Sequence, residues 1–345
     1  MFCLQDPAPF AAWEPFMSEP RQAPHDLEAS SSPVIVNQGG AQLAARLEAH
    51  WSKPRVISPP KGAPPWDIPP DADMLVTQPG PWLAARAPAS APPGWPFNLR
   101  FIQALSTGVD SFPRWMLEGP PLSCARGVAA TPIAEFVMAA MLNFEKDFAG
   151  LRVRQRDQWK SRPLGLLAGR TLAIAGYGAI GRAIAARGRP FGMRLIALRR
   201  SDGPLDPDVA RAPDFATLTA EADHLVLSLP LTTQTHRLLN TSVLAGAKSN
   251  LHVVNVARGQ LIDQEALLAA LDEGRIAGAT LDVTDPEPPP EGHPFYAHPK
   301  IWLTPHISWG DAKSGERAAA KALANLDHYA RGEALEDLVE PALGY

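Results

Sequence analysis

The chain has 345 residues, 46% of them hydrophobic and 20% charged, and its net charge is −4. This length predicts about two domains, and the composition is typical of a globular protein with full cores. The weak, dispersed charge argues against nucleic acid or an anionic membrane as a partner. The sequence shows neither a secretory signal nor an apolar run long enough to cross a bilayer. The two cysteines, Cys3 and Cys124, match no metal-ligand or disulfide pattern, so we expect a metal-free, cytoplasmic protein.

The first third of the chain alternates short apolar runs with a helical pattern. Residues 1–32 are polar, proline-containing and aperiodic, and are predicted to form an arm or a loose extension. Strands are then predicted over residues 34–36, 55–57, 74–76 and 101–105, and a helix over 41–50. Proline pairs between residues 59 and 96 predict rigid connections between these strands, with a disordered linker as the alternative. The alternation predicts a small, mostly parallel α/β unit.

The remaining two thirds show a more regular alternation. A long helix is predicted over residues 132–148, with Pro132 at its first position, where the missing N–H costs nothing. This helix suits a boundary between two domains. Strands are predicted over residues 171–175, 194–198, 224–229, 251–256, 278–283 and 301–303, with helical stretches such as 180–189 and 264–273 between them, and a last helix over 313–331. Six strands with helical crossovers predict a doubly wound parallel sheet.

A glycine motif at residues 176–181 follows the first strand of this second unit and opens a helix. Spacing of this kind is weak by itself, but the strand–turn–helix context is the one that dinucleotide-binding folds require. Gly176 is expected to allow the tight turn, Gly178 to let the backbone approach a pyrophosphate, and Gly181 to let the helix pack on the strand. The backbone amides of Ala179 and Ile180, at a helix N-terminus, are expected to hold the phosphate charge.

The choice between NAD and NADP usually depends on the end of the next strand, about 20 residues later. A carboxylate at that position binds the ribose 2′-OH and would repel a 2′-phosphate. The strand at 194–198 instead ends in Arg199, Arg200 and Ser201. Guanidinium groups offer paired donors to a phosphate, so NADP is the predicted cofactor. A solvated pair of arginines is the alternative.

Three charged or titratable residues follow predicted strands of the second unit. They are Arg258, Glu287 and His306. Ligands of open α/β sheets bind at the carboxyl ends of the strands, so these three side chains are expected to converge on one cleft. Reduction of a 2-oxo acid needs a cation for the carboxylate, a proton donor for the carbonyl oxygen and a partner for that donor. Taken singly, Arg258 also fits a structural arginine, Glu287 a surface acid, and His306 a histidine with satisfied hydrogen bonds.

With these motifs, the sequence resembles the D-isomer-specific 2-hydroxyacid dehydrogenase family from about Ser106 to the last helix. The resemblance is carried by ordered motifs at residues 106–110, 132–135, 176–181, 228–231 with 235, 255–259, 281–283 with 287–288, and 304–306. It implies that Arg258 holds the substrate carboxylate and polarises the keto group. It further implies that His306 is the general acid in reduction and that Glu287 keeps this histidine charged.

The resemblance also implies contacts that spacing cannot establish. Backbone amides of Thr107, Gly108 and Val109 would complete the carboxylate pocket from the other domain. Asp282 would bind the nicotinamide carboxamide. The walls of the cofactor groove would be formed by Leu229, Pro230, Thr235, Val256 and Ala257.

At the level of the whole chain, the family implies two domains and a symmetric homodimer. Residues 127–310 would form the Rossmann dinucleotide-binding domain, and residues 1–126 with 311–345 a smaller flavodoxin-like substrate domain. Arg199 replaces an acidic residue that is common in the family, which indicates the NADPH-using glyoxylate and hydroxypyruvate reductase type. Its substrates would be small 2-oxo acids and their D-2-hydroxy products. Trp309 either shapes the substrate pocket or is a core tryptophan.

Three alternatives share this fold. Formate dehydrogenase is disfavoured because Glu287, and not a glutamine, is paired with the histidine. Phosphoglycerate dehydrogenase of the long type is disfavoured because no regulatory domain is recognised after the last helix. A nucleotide-sensing binding protein, such as a transcriptional corepressor, can keep the same catalytic residues, so the sequence leaves this alternative open.

Overall fold

The computed structural model describes residues 32–343, so the arm predicted for residues 1–32 lies, apart from its last residue, outside the described part. Within this range the chain forms two parallel sheets, one of five strands and one of seven. The helices are α1 Ala41–Glu48, α2 Pro79–Ala85, α3 Arg114–Leu117, α4 Ala130–Lys146, α5 Phe148–Leu151, α6 Ala179–Gly188, α7 Phe215–Glu221, α8 Thr241–Ala245, α9 Gln264–Asp272 and α10 Ser314–Arg331. None of these helices is long and apolar enough to cross a membrane.

The first sheet has the strand order of flavodoxin-like folds. Its strands are β1 Val34–Asn37, β2 Arg55–Ile57, β3 Met74–Thr77, β4 Phe101–Ala104 and β5 Leu122–Ser123. They pair in the parallel order β2-β1-β3-β4-β5, which is the order that defines this type of doubly wound sheet. The predicted small α/β unit is confirmed, and β5 was missed because two residues carry no readable alternation.

The proline-rich segment is built of consecutive turns. Backbone amides of Ala63, Asp67 and Ala72 each donate to the carbonyl of a proline three residues earlier. Strand β3 and helix α2 lie between these turns and the last proline pair, at residues 92–93. Since proline presets φ for such turns, the segment holds rigid connections, as expected, and not a disordered linker.

The second sheet contains one strand more than the sequence predicts. Its strands are β6 Thr171–Ala175, β7 Arg194–Leu198, β8 Val209–Arg211, β9 His224–Leu227, β10 His252–Asn255, β11 Gly278–Leu281 and β12 Ile301–Leu303. The order β8-β7-β6-β9-β10-β11-β12 reproduces the six-stranded Rossmann arrangement, and β12 is added at one edge of it. Strand β8 escaped prediction because it is short, and two of its three side chains are exposed.

Two long helices connect the sheets. Helix α4 begins at Ala130, two residues before the predicted start, and packs mainly against α6 of the second unit. Helix α10 instead packs on the first sheet, where its Leu326 and Tyr329 join the core with Ile35 and Phe101. The chain therefore returns to its first unit after it completes the second.

Candidate active site

The glycine motif follows β6 at the carboxyl edge of the seven-stranded sheet. Gly176 has φ +99°, and a Cβ there would lie 2.5 Å from the carbonyl oxygen of Ser228. A Cβ at Gly181 would lie 2.2 Å from the carbonyl oxygen of Gly176. Only glycine fits both positions, because backbone atoms cannot move aside as a side chain can. The space beside Gly178 is open, with no atom within 4 Å of a Cβ, and α6 starts at the next residue, Ala179.

This geometry fits a dinucleotide pyrophosphate. The amides of Ala179 and Ile180 lie in the first turn of α6, and the positive end of a helix dipole favours a bound anion there. The open side of Gly178 leaves room for the phosphate oxygens. These residues would hold the pyrophosphate of a nicotinamide dinucleotide.

The predicted groove residues lie at the carboxyl ends of β9 and β10. Leu229, Val256 and Ala257 are nearly buried. The Thr235 hydroxyl donates to the carbonyl of Pro230 at 2.7 Å and is itself buried. Thr235 therefore closes the turn that carries Pro230, and its own contact with a cofactor stays a prediction.

The predicted phosphate loop is held together by an arginine that the sequence did not single out. Arg199 donates to the carbonyl of Pro204 at 3.2 Å and so folds over its own loop. Arg211, on β8, donates to the carbonyls of Arg199, Ser201 and Gly203 at 3.4, 3.3 and 2.6 Å. The guanidinium of Arg211 therefore stabilises the conformation of the loop that contains Arg199, Arg200 and Ser201.

His306 and Glu287 form the hydrogen-bonded pair expected of a proton donor and its partner. The Nδ1 atom of His306 lies 2.5 Å from Oε1 of Glu287, and both side chains are more than a third exposed. His306 has φ +50°, a left-handed conformation that is uncommon outside glycine and is found most often where surrounding contacts fix the backbone.

The contacts that fix the backbone of His306 come from Asp282, at the carboxyl end of β11. Its backbone carbonyl accepts from the amide of His306 at 2.8 Å. Its carboxylate accepts from Thr304 Oγ1 at 2.6 Å and from the amides of Ile307 and Ser308, both at 2.9 Å. Asp282 is 1% exposed, and these hydrogen bonds join it to the segment that carries His306. The contact with a nicotinamide carboxamide stays a prediction.

Trp309 lies beside the same histidine. Its indole N–H donates to the carbonyl of His306 at 2.8 Å, and half of the residue's surface is exposed. The core-tryptophan alternative is therefore wrong, because a core side chain would be buried.

Arg258 follows β10 and faces the first unit. Its Nε and Nη2 donate to the two carboxylate oxygens of Asp110 at 2.8 and 2.7 Å, and its Nη1 donates to the carbonyl of Ala257 at 2.6 Å. Burial opposes ionisation of Asp110, but its hydrogen bonds with Arg258 and the charges of Arg258 and His306 hold the pKa of Asp110 below its usual value. Burial opposes the charge of Arg258, but its hydrogen bonds with Asp110 and the charges of Asp110 and Glu287 raise the pKa of Arg258 above its usual value. These four side chains form one electrostatic cluster.

The loop after β4 reaches this cluster from the first sheet. Within residues 32–343, the backbone amides of Thr107, Gly108 and Val109 donate to no protein acceptor. The Thr107 hydroxyl donates to the carbonyl of Ala125 at 3.0 Å, and Val109 is buried, so both side chains anchor the loop. The amides are thus available to an anion beside Arg258.

Sequence reasoning missed two residues of this site, Asp110 and Arg211. Asp110 stands in a motif that was noticed, but nothing local shows that it pairs with Arg258, 148 residues away. Arg211 stands at the end of the strand that was not predicted. Within the described residues, no group of three or more His, Cys, Asp or Glu side chains could hold a metal ion.

Several proteins with similar sequence or structure are named as dehydrogenases or reductases. The family model "D-isomer specific 2-hydroxyacid dehydrogenase, NAD binding domain" matches residues 138–308. A glyoxylate reductase of Korarchaeum cryptofilum is 32% identical over 259 residues, which cover 70% of this chain and 76% of that protein. A glyoxylate/hydroxypyruvate reductase B of Yersinia pestis is also 32% identical, with 71% and 78% covered.

A solved structure agrees over a longer stretch. The NADPH-dependent glyoxylate/hydroxypyruvate reductase of Sinorhizobium meliloti, in complex with NADP and sulfate, superposes with a TM-score of 0.72 at 25% identity. The superposition covers 91% of this chain and all of that one. With the two sheets and the glycine motif, these matches show that the chain belongs to the D-isomer-specific 2-hydroxyacid dehydrogenase family.

Proposed function

We propose that the protein reduces small 2-oxo acids of the glyoxylate and hydroxypyruvate type to D-2-hydroxy acids, with NADPH as the reductant. The observation that carries this proposal is the His306–Glu287 pair, at 2.5 Å, in one electrostatic cluster with Arg258. A cation, a proton donor and the donor's carboxylate partner are the groups that reduction of a 2-oxo acid requires. The named relatives act on the same class of substrate.

Each residue of the cluster has a distinct task in this proposal. Arg258 and the amides of residues 107–109 bind the substrate carboxylate, and Arg258 also polarises the keto group. Since Nδ1 of His306 is engaged with Glu287, its Nε2 donates the proton to the carbonyl oxygen. The Glu287 carboxylate stabilises the imidazolium. A bound nicotinamide supplies the hydride.

NADPH is proposed over NADH because of the loop that Arg211 shapes. Arg199 and Arg200 follow β7, the strand whose end contacts the ribose in dinucleotide-binding folds, and guanidinium groups offer paired N–H donors to a 2′-phosphate. The structural relative from Sinorhizobium meliloti is itself described as NADPH-dependent.

The domain division and the homodimer are also proposals. The packing of α10 on the first sheet supports a substrate domain made of residues 1–126 and 311–345, around a dinucleotide domain of residues 127–310. The segment at 148–166 supports a symmetric dimer, because Phe148, Trp159 and Leu166 expose 62%, 81% and 61% of their surface. Large apolar side chains exposed along one segment of the chain are typical of protein interfaces. Sedimentation of Trp159→Ser beside the unmutated protein tests the dimer.

The reaction is tested by NADPH oxidation with glyoxylate, hydroxypyruvate, pyruvate and phenylpyruvate, followed by chiral analysis of the products. We expect saturable turnover, fastest with glyoxylate and hydroxypyruvate, and D-configured product wherever C2 is a stereocentre. Tight NADPH binding without turnover on any of the four would favour a nucleotide-sensing binding protein and contradict the proposal.

A further inference from the structure

Asp110 and Arg258 join the two units at the centre of the site. Asp110 lies in the loop between β4, in the five-stranded sheet, and α3, whereas Arg258 follows β10, in the seven-stranded sheet. Their two hydrogen bonds, at 2.7 and 2.8 Å, form a paired contact, and about two thirds of each side chain is shielded from water. A paired arginine–carboxylate contact fixes the plane of the guanidinium as well as its position.

The donors of Arg258 are divided in a way that leaves room for a substrate. A guanidinium has five N–H groups. Asp110 takes those of Nε and one of Nη2, and the carbonyl of Ala257 takes one of Nη1. One N–H therefore remains on each terminal nitrogen, which matches the two oxygens of a substrate carboxylate.

A substrate that displaced Asp110 from Arg258 would bind less favourably than one that used the two remaining N–H groups. If the substrate took over the contact at Nε and Nη2, the Asp110 carboxylate would be left half-buried, unpaired and next to a second carboxylate. Leaving a partly buried charged group without its partner is unfavourable. Gly108 also lies against the Nη2 atom, because a Cβ at this residue would be 1.8 Å from it.

We propose that Asp110 is a positioning residue that orients Arg258 so that its two remaining N–H groups meet the substrate carboxylate. It acts through Arg258 and also connects that arginine to the loop whose amides complete the same pocket. This inference rests on the proposed function, because it assumes a substrate with a carboxylate.

The first test is Asp110→Asn, which keeps the shape but removes the charge and sets an NH₂ group against the arginine. Loss of one charge-assisted hydrogen bond at a partly exposed pair should raise KM for the 2-oxo acid roughly tenfold. KM for NADPH should stay within about twofold, because the pair lies outside the proposed cofactor contacts. Asp71→Asn is the matched control, since Asp71 pairs with Arg55 on the exposed edge of the same sheet. A lower KM in Asp110→Asn would overturn the proposal and identify Asp110 as a gate.

A double-mutant cycle shows whether Asp110 acts through Arg258. In an Arg258→Met background, which has no guanidinium to orient, Asp110→Asn should have no further effect on kcat/KM. If the same fold-loss appears in both backgrounds, Asp110 acts on the loop or on His306 directly, and the proposal is wrong.

A binding measurement separates this proposal from the proposed function. Calorimetry with oxalate, added to the protein saturated with NADPH, reports the carboxylate pocket without any turnover. Asp110→Asn should weaken oxalate binding roughly tenfold, even if no 2-oxo acid proves to be a substrate. Equal oxalate affinity of the variant and the unmutated protein would refute the positioning role, whatever the reaction.

Discussion

Gly108→Ala should impair substrate binding and leave the fold nearly intact. A Cβ at this position would lie 1.8 Å from Nη2 of Arg258, whereas an ordinary contact needs about 3.5 Å. The guanidinium must move by about 1.7 Å, which disrupts its 2.7 Å hydrogen bond to Asp110 Oδ1, an atom that itself lies 3.1 Å from the added Cβ. One charge-assisted bond at a pair that is about a third exposed corresponds to about 1–2 kcal/mol, or roughly fivefold to thirtyfold in KM.

The assay is steady-state reduction of glyoxylate at saturating NADPH, with thermal unfolding measured in parallel. The unfolding temperature should change little, because the displaced atom is the end of a flexible side chain. Gly80→Ala, in α2, is the control, since no atom lies within 4 Å of a Cβ there. An unchanged KM for glyoxylate in Gly108→Ala would refute the assigned contact between this loop and Arg258.

Three further predictions concern proton transfer, cofactor choice and stability. His306→Ala should lower kcat roughly 10²–10⁴-fold, whereas Glu287→Gln, which removes the carboxylate partner of His306, should lower kcat and leave KM for NADPH unchanged; an unchanged kcat for Glu287→Gln would contradict the pairing. Arg199→Asp should raise KM for NADPH roughly tenfold or more and that for NADH little, since one charge-assisted phosphate contact is lost; equal effects on both cofactors would oppose the NADP proposal. Burial and the charge of His224 hold the pKa of His252 well below 6.5. The unfolded chain therefore binds more protons than the folded one below that pH, so stability should fall as pH drops through about 6.5, by at most about 1.4 kcal/mol per pH unit. His252→Gln should flatten this slope in urea unfolding series, and an unchanged slope would contradict the assignment.

The nucleotide-binding unit is the part that sequence predicts best. Its long strands are buried on both faces, as at 171–175 and 224–227, so they appear as continuous apolar runs between glycine turns and helical stretches. Prediction failed where elements are short. Strand β8 exposes two of its three residues, and β5 has only two residues, so neither leaves a pattern to recognise.

The proposed catalytic residues are predictable for a similar reason. Arg258, Glu287 and His306 stand just after strands, and parallel strands place such positions at one edge of a sheet. Pairing between distant segments leaves no local signal. The sequence around Asp110 therefore does not indicate that this carboxylate binds Arg258. The network around Asp282 has no local signal for the same reason, because the amides of Ile307 and Ser308 reach its carboxylate only when the His306 segment folds against β11.

Direct transfer of hydride from cofactor to substrate is the central claim, and isotope transfer measures it most directly. The protein is incubated with glyoxylate or hydroxypyruvate and NADPH that carries deuterium at C4 of the nicotinamide, one C4 epimer at a time. With one epimer only, the 2-hydroxy acid product should carry deuterium at C2, and His306→Ala should lower the rate of this labelling. Product without deuterium from either epimer, or NADPH that binds and is never consumed, would contradict the account.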